Sequence, residues 1–259
     1  MMLRARSVEM VRLYWKFILV CLSAGRNLAD QQCGKIAKKS TFINQGQRVK
    51  HAWPWMGSLG YLSGEKWNHL CGASLVSSYH AVTAAHCALD PTVLKKTAEG
   101  RLLVRFGNNN ISSTKTENTQ KVNVQTIAVH PNYSGGFYHD LSVLTFSSQV
   151  TMSDFVNTIC LPTQSTDRED LDGKGLVVTG WGNAEEKGGI LYRLIVEVYN
   201  NKICNQEYQH APVKTKNQYF PNEFTDDIFC TGDFTGTFTG STCHGDSGGP
   251  AISFVKQVK

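Results

Sequence analysis

Apolar residues fall in short runs along this sequence, and none recurs with a long helical period. Val122-Asn123-Val124-Gln125-Thr126-Ile127-Ala128-Val129 alternates apolar with polar positions, which is the pattern of a half-buried strand. The runs 56–61, 70–76, 102–107 and 141–146 are apolar and bounded by turn residues, so each reads as a strand. Polar, charged residues 163–174 suit a crossing between two halves, after which Leu176-Val177-Val178-Thr179-Gly180-Trp181-Gly182 reopens strand structure. Further strands are expected over 190–198 and 228–232, with a short helical turn over 202–209 around Cys204. The pattern predicts an antiparallel β protein without internal repeats.

The first residues follow another logic. Arg4, Arg6, Arg12 and Lys16 precede the apolar run Phe17-Ile18-Leu19-Val20-Cys21-Leu22, and the small residues Ser23, Ala24 and Gly25 follow. This is the order of a secretory signal, residues 1–25, with cleavage near Gly25 or Ala29; a start at Met10 would make it more compact. The apolar run falls short of the roughly 20 residues a membrane span needs. The protein is therefore expected outside the cell, with no membrane partner. Its 259 residues suit one or two domains, and 41% hydrophobic residues are ordinary for a globular protein. The formal charge of +5 comes without a basic stripe, which argues against a nucleic-acid partner.

Secretion makes the cysteines disulfide candidates. Of the eight, Cys21 leaves with the signal, and Cys33, Cys71, Cys87, Cys160, Cys204, Cys230 and Cys243 remain. None has zinc-finger spacing, so no metal is expected. Asn110-Ile111-Ser112 and Asn132-Tyr133-Ser134 are acceptor tripeptides for N-glycosylation.

Candidate chemistry concentrates near Ser241-Thr242-Cys243-His244-Gly245-Asp246-Ser247-Gly248-Gly249-Pro250. Glycines free the backbone to take tight conformations and to crowd a ligand. A serine on such a loop presents its Oγ while neighbouring N–H groups converge where an oxyanion would form. A hydroxyl nucleophile needs a base near neutral pKa, and Ala84-Ala85-His86-Cys87 offers an imidazole. The imidazole needs a carboxylate to fix its tautomer, and His139-Asp140-Leu141-Ser142-Val143-Leu144 offers one. On these three motifs, in the order His86, Asp140, Ser247, the sequence resembles the chymotrypsin/trypsin family of serine endopeptidases.

The resemblance implies an all-β fold of two six-stranded antiparallel barrels and a zymogen with a signal (1–25), a pro-segment (26–42) and a peptidase domain (43–259). It implies a catalytic triad of His86, Asp140 and Ser247, and an oxyanion hole from the N–H groups of Gly245 and Ser247. The implied disulfides are Cys71–Cys87, Cys204–Cys230 and Cys33–Cys160, which leaves Cys243 as the odd cysteine. Protein or peptide substrates follow, with protein protease inhibitors as candidate partners. No cofactor is expected. Calcium in particular is unsupported, because residues 108–120 carry only Glu117 as a carboxylate. A protease-fold protein that binds without catalysis is the competing reading, and the intact triad argues against it.

Several positions bear on how closely the family pattern is followed. Ile43-Asn44-Gln45-Gly46 stands where relatives begin their mature protein, but Phe42 precedes it in place of Arg or Lys. The nearest basic site is Lys39–Ser40, so Phe42–Ile43 is the expected activation cut, freeing Ile43 to pair with Asp246. Ser241, at the floor of the specificity pocket, is neutral, which disfavours Arg or Lys substrates and favours a chymotrypsin-like preference. Leu176 and Ser253 occupy two positions that relatives often bridge with a disulfide, and both cysteines are replaced together. The resemblance runs from about Cys33 to Ser253, and the family continues beyond it. The second barrel is therefore expected to be incomplete, and the sequence to be truncated at its C-terminal end.

Overall fold

A computed structural model describes residues 9–11, 33–36, 53–113, 117–162, 171–182, 189–210, 220–225, 228–232 and 245–254. Six strands form a closed barrel: β2 (Met56–Ser63), β3 (Lys66–Ser77), β4 (His80–Thr83), β5 (Leu103–Phe106), β6 (Gln120–Val129) and β7 (Ser142–Phe146). They follow one another as β2-β3-β4-β7-β6-β5, and pairing of β2 with β5 closes the ring. A second sheet is built from β1 (Glu9–Val11), β8 (Gly175–Gly180), β9 (Tyr192–Tyr199), β10 (Phe229–Gly232) and β11 (Ala251–Ile252). Its five strands have the order β1-β10-β9-β8-β11. The protein thus has the expected antiparallel β architecture, as a closed barrel and an open second sheet.

The alternation read in β6 is what the barrel uses. Val122 and Val124 are buried while Lys121, Asn123 and Gln125 face out, until a register shift between Val124 and Thr126 ends the alternation. Inside the barrel, Leu59, Leu75, Val104, Phe106 and Leu144 are wholly buried, and Phe106 meets Phe146 edge-on at 5.9 Å. Each of these residues contributes about 1.5–3 kcal/mol by leaving water. Arg105, between Val104 and Phe106 in β5, projects from the other face of the strand and is only 5% exposed. Its guanidinium donates to the carbonyls of Ile111 and Ser113, so a buried cation ties down the 108–113 loop.

Among the described residues three short helices decorate the sheets: α1 (Ala85–Ala88), α2 (Pro91–Ala98) and α3 (Asn201–Tyr208). The last matches the expected turn around Cys204 to within one residue. The pattern reading misses α2, because Val93 is its only buried residue and no apolar stripe exists to detect. Its signal is local: Asp90 caps the N–H groups of Thr92 and Val93, and Pro91 takes the first helical position.

Disulfides join Cys33 to Cys160, Cys71 to Cys87 and Cys204 to Cys230, the three pairs that the resemblance implies. Cys243 lies outside the described residues, as do Ile43 and Ser241. Leu176 is buried in β8. The register of β8 with β11 pairs Ala251 with Val178 and Ile252 with Val177. Its continuation brings Ser253 level with Leu176, where relatives often carry a disulfide. Most of the stretch expected to be signal and pro-segment lies outside the described residues. Within it, Glu9–Val11 pairs with Phe229–Thr231 along the edge of β10.

Candidate active site

His86 is the second residue of α1, where the backbone leaves β4 and turns along the barrel rim. Asp140 lies just ahead of β7, which pairs with β4, so barrel pairing alone brings the two together across 54 positions. The carboxylate grips the histidine twice. Asp140 Oδ1 accepts the His86 backbone N–H at 2.8 Å, and Oδ2 accepts from Nδ1 at 2.7 Å. An ionised carboxylate only accepts, so Nδ1 carries the proton and Nε2 is left as the base. The Asp140 hydrogen bond raises the His86 pKa above 6.5, and burial opposes it only in part.

The serine loop reaches this rim from the second sheet. Ser247 accepts the Gly72 N–H through its carbonyl oxygen at 2.7 Å, and Gly72 belongs to β3, beside Cys71. Gly248, at φ +78°, lies against Thr83 and Ala84, just ahead of His86. Ser247 is thereby held between the strand that carries Cys71 and the turn that carries His86. A turn closes behind it, with Gly249 N–H donating to the Asp246 carbonyl at 3.0 Å. The glycines are needed here: a Cβ on Gly72 would stand 2.8 Å from the Gly249 nitrogen, closer than real Cβ atoms come.

Sequence reasoning missed the group that holds the loop from below. His69 of β3 donates from Nε2 to the Gly245 carbonyl at 2.8 Å. Its Nδ1 accepts from Ser58 Oγ at 2.7 Å, and Trp67 Nε1 donates to that hydroxyl at 2.8 Å. The Gly245 carbonyl only accepts, so Nε2 carries a proton, and in the neutral ring Nδ1 takes its hydrogen bond from Ser58. Burial lowers the His69 pKa, with the Gly245 bond and the Asp246 charge opposing it. Asp246 accepts the Gly182 N–H at 2.6 Å and packs against Gly180, where a side chain would collide with the carboxylate. The position of His69, two residues before Cys71, was the available signal, but a lone histidine in a strand has no pattern of its own.

The ligand atoms of Cys71, Cys87 and His86 lie within 4.8 Å of one another. The two sulfurs are bonded to each other, so they supply no thiolate for a metal.

The family model described as Trypsin matches residues 42–258. The chain belongs to the trypsin family. It is 30% identical over 231 residues to the clotting factor G beta subunit of Tachypleus tridentatus, covering 88% of this chain and 70% of that protein. It is 31% identical over 244 residues to human transmembrane protease serine 11B, covering 91% of this chain. Only 52% of the human protein is spanned. With bovine chymotrypsin-C it shares 29% identity over 207 residues, covering 78% of this chain and 68% of that one. The enzyme class that goes with this family is serine-type endopeptidase. No helix among the described residues is long and apolar enough to cross a membrane.

The glycine contact gives the first prediction. Gly72→Ala pushes the serine loop off β3, because the added methyl meets backbone that has no side-chain freedom to yield. Reactivity of Ser247 with a fluorophosphonate should fall by about tenfold or more, roughly 1.4 kcal/mol or more in the activation barrier. The barrel core, which the residue does not enter, should keep its circular dichroism. Wild-type labelling in this variant would contradict the reading of the contact.

Proposed function

We propose that this protein is a secreted serine endopeptidase that hydrolyses peptide bonds by acyl transfer through His86, Asp140 and Ser247. The observation that carries the proposal is the double grip of Asp140 on His86, next to a serine loop docked on Gly72, Thr83 and Ala84. Ser247 Oγ attacks the substrate carbonyl, and His86 Nε2 takes its proton and returns it to the leaving amine. Asp140 stabilises the imidazolium formed between those steps. The N–H groups of Gly245 and Ser247 receive the oxyanion, and the glycine at 245, with φ +95°, orients one of them.

The acid limb of the activity follows from the His86 shift. The base must be neutral to act, and Asp140 holds its pKa above 6.5, so the midpoint of the acid limb of kcat/KM lies above 6.5. Stability runs the other way. A pKa raised on folding makes the His86–Asp140 pairing stabilising at low pH, and that contribution fades as pH rises through the folded-state value. Ser247 should be labelled covalently by a fluorophosphonate, and Ser247→Ala should abolish labelling. Labelling that survives the substitution would refute the assignment. Asp140→Asn should lower kcat by about 10⁴-fold, the loss typical of the trypsin-type triad when the tautomer is wrong.

Substrates are proteins or peptides, and protein protease inhibitors are the partners that would occupy the same cleft; nucleic acid and membrane are not. We read the preference as chymotrypsin-like, because Ser241 contributes no charge to the pocket floor. In a peptide library, cleavage after Phe, Tyr or Leu should exceed cleavage after Arg or Lys, and Ser241→Asp should move the preference toward basic residues. Dominant Arg or Lys cleavage by the wild type would defeat this.

The signal (1–25), pro-segment (26–42) and peptidase domain (43–259) complete the proposal, with glycans at Asn110 and Asn132. Of the two acceptors, Asn132 is exposed, whereas Asn110 is half-buried with its side-chain oxygen accepting the Ser112 N–H. Signal removal would free the β10 edge that Glu9–Val11 occupies. Activation frees the Ile43 ammonium to pair with Asp246, whose carboxylate is costly to bury uncompensated. N-terminal sequencing of the active species should begin at Ile43, and a mature protein beginning at Ser40 would exclude the Phe42–Ile43 cut.

A further inference from the structure

Among the described residues only two non-glycine residues have positive φ: His139 at 54° and Glu223 at 59°. The left-handed region costs an ordinary residue roughly 1–2 kcal/mol and persists where the surroundings impose it. These two lie far apart in sequence, yet they flank one hydrogen-bonded link. The Tyr138 hydroxyl donates to the Glu223 carbonyl at 2.6 Å and accepts the Asn222 N–H at 3.2 Å. Tyr138 precedes His139, and His139 precedes Asp140.

The two ends of this clamp belong to different halves of the molecule. On one side, the segment ahead of Asp140 is folded back on the barrel. Leu141 N–H bonds the His139 carbonyl at 2.8 Å, His130 N–H bonds the Leu141 carbonyl at 2.9 Å, and the rings of His130 and His139 stack at 4.9 Å. On the other side, α3 holds the 220–225 turn. Asn205 accepts the Phe224 N–H at 2.7 Å and donates to its carbonyl at 3.3 Å, while Asn201 donates to the carbonyls of Phe224 and Thr225. The Cys204–Cys230 disulfide ties α3 to β10 in turn. Phe137 stacks on Phe220 at 4.9 Å and Phe220 on Phe224 at 4.8 Å, and the Tyr138 ring meets Phe220 edge-on at 6.4 Å.

We propose that Tyr138 is a positioning residue for catalysis: its hydroxyl, clamped by Asn222 and Glu223, fixes the backbone that presents Asp140 to His86. The proposal rests on the triad reading above. Tyr138 touches neither substrate nor reacting atoms. It acts through the strained residue between it and Asp140, making the carboxylate's place depend on α3 and its turn. Without the hydroxyl, His139 can relax, and Asp140 holds its two bonds to His86 less often.

Tyr138→Phe tests this, because it deletes the hydroxyl and keeps the ring among its neighbours. One lost hydrogen bond of ordinary strength predicts a fall in kcat of about two- to tenfold with KM little changed. Asp140 is what raises the His86 pKa, so the acid limb should also move to lower pH. A merely structural loss would lower the melting temperature and leave both readouts alone, and that result overturns the proposal. Titration of the His86 ring by NMR in ¹³C-histidine-labelled protein, assigned with His86→Gln, gives the same midpoint without turnover. If the parent is not labelled at Ser247, the triad reading fails, and the NMR midpoint in Tyr138→Phe still decides the clamp. Asn205→Ala loosens the turn from the far side, and should shift the midpoint in the same direction by less. An unmoved midpoint in both variants overturns the proposal.

Discussion

The site depends on backbone meeting backbone. Gly72 of β3 and the Gly248–Gly249 pair lie so close that the Ser247 carbonyl takes its hydrogen bond directly from a barrel strand. No side chain mediates this contact, which makes it stiff. A loop held by backbone hydrogen bonds and van der Waals contact has few rotamers through which to drift, and acyl transfer needs its reacting atoms placed to within a fraction of an ångström. The glycines thus serve geometry twice, by permitting positive φ at 245 and 248 and by leaving room at 72, 180 and 249.

Around that contact, two histidines of one barrel are driven in opposite directions. His86 has a carboxylate on Nδ1, and its pKa rises. His69 is more deeply enclosed, with a carbonyl on one nitrogen and a hydroxyl on the other, and its pKa falls. Burial decides the sign at His69, against the Gly245 bond and the Asp246 charge, and the Asp140 hydrogen bond decides it at His86. A carboxylate favours the imidazolium, whereas a donor–acceptor pair is satisfied by the neutral ring. The two shifts move the rings apart, the first toward the imidazolium and the second toward the neutral ring, and the second links the barrel to Gly245.

Buried charge follows the same rule elsewhere. Arg105 is almost wholly enclosed in β5 and meets the carbonyls of Ile111 and Ser113. Its two terminal nitrogens each find a fixed carbonyl acceptor there. Those acceptors lie in the loop whose scarcity of carboxylates argues against calcium. Oxygen atoms there answer to a protein cation, a pairing that carboxylate counting alone does not reveal.

Local sequence carried the parts of this protein that depend on local rules. Strand periods follow from which face is wet, so the alternation in β6 and the apolar runs of β3 and β8 were legible. The motifs around His86, Asp140 and Ser247 were legible because serine, histidine and aspartate are distinctive residue types in family order. The helix α2 was missed because its evidence is a cap and a proline, with one buried valine in place of an apolar stripe. His69, Ser58 and Tyr138 were invisible for a deeper reason. Their roles lie in partners 11, 84 and 176 positions away, and a hydrogen bond to a distant backbone group leaves no mark on the residues beside it. The sequence by itself determined the family and the strand pattern. Only the tertiary structure decided which backbone holds the candidate site in place, because carbonyls and N–H groups are the same at every position until folding brings particular ones together.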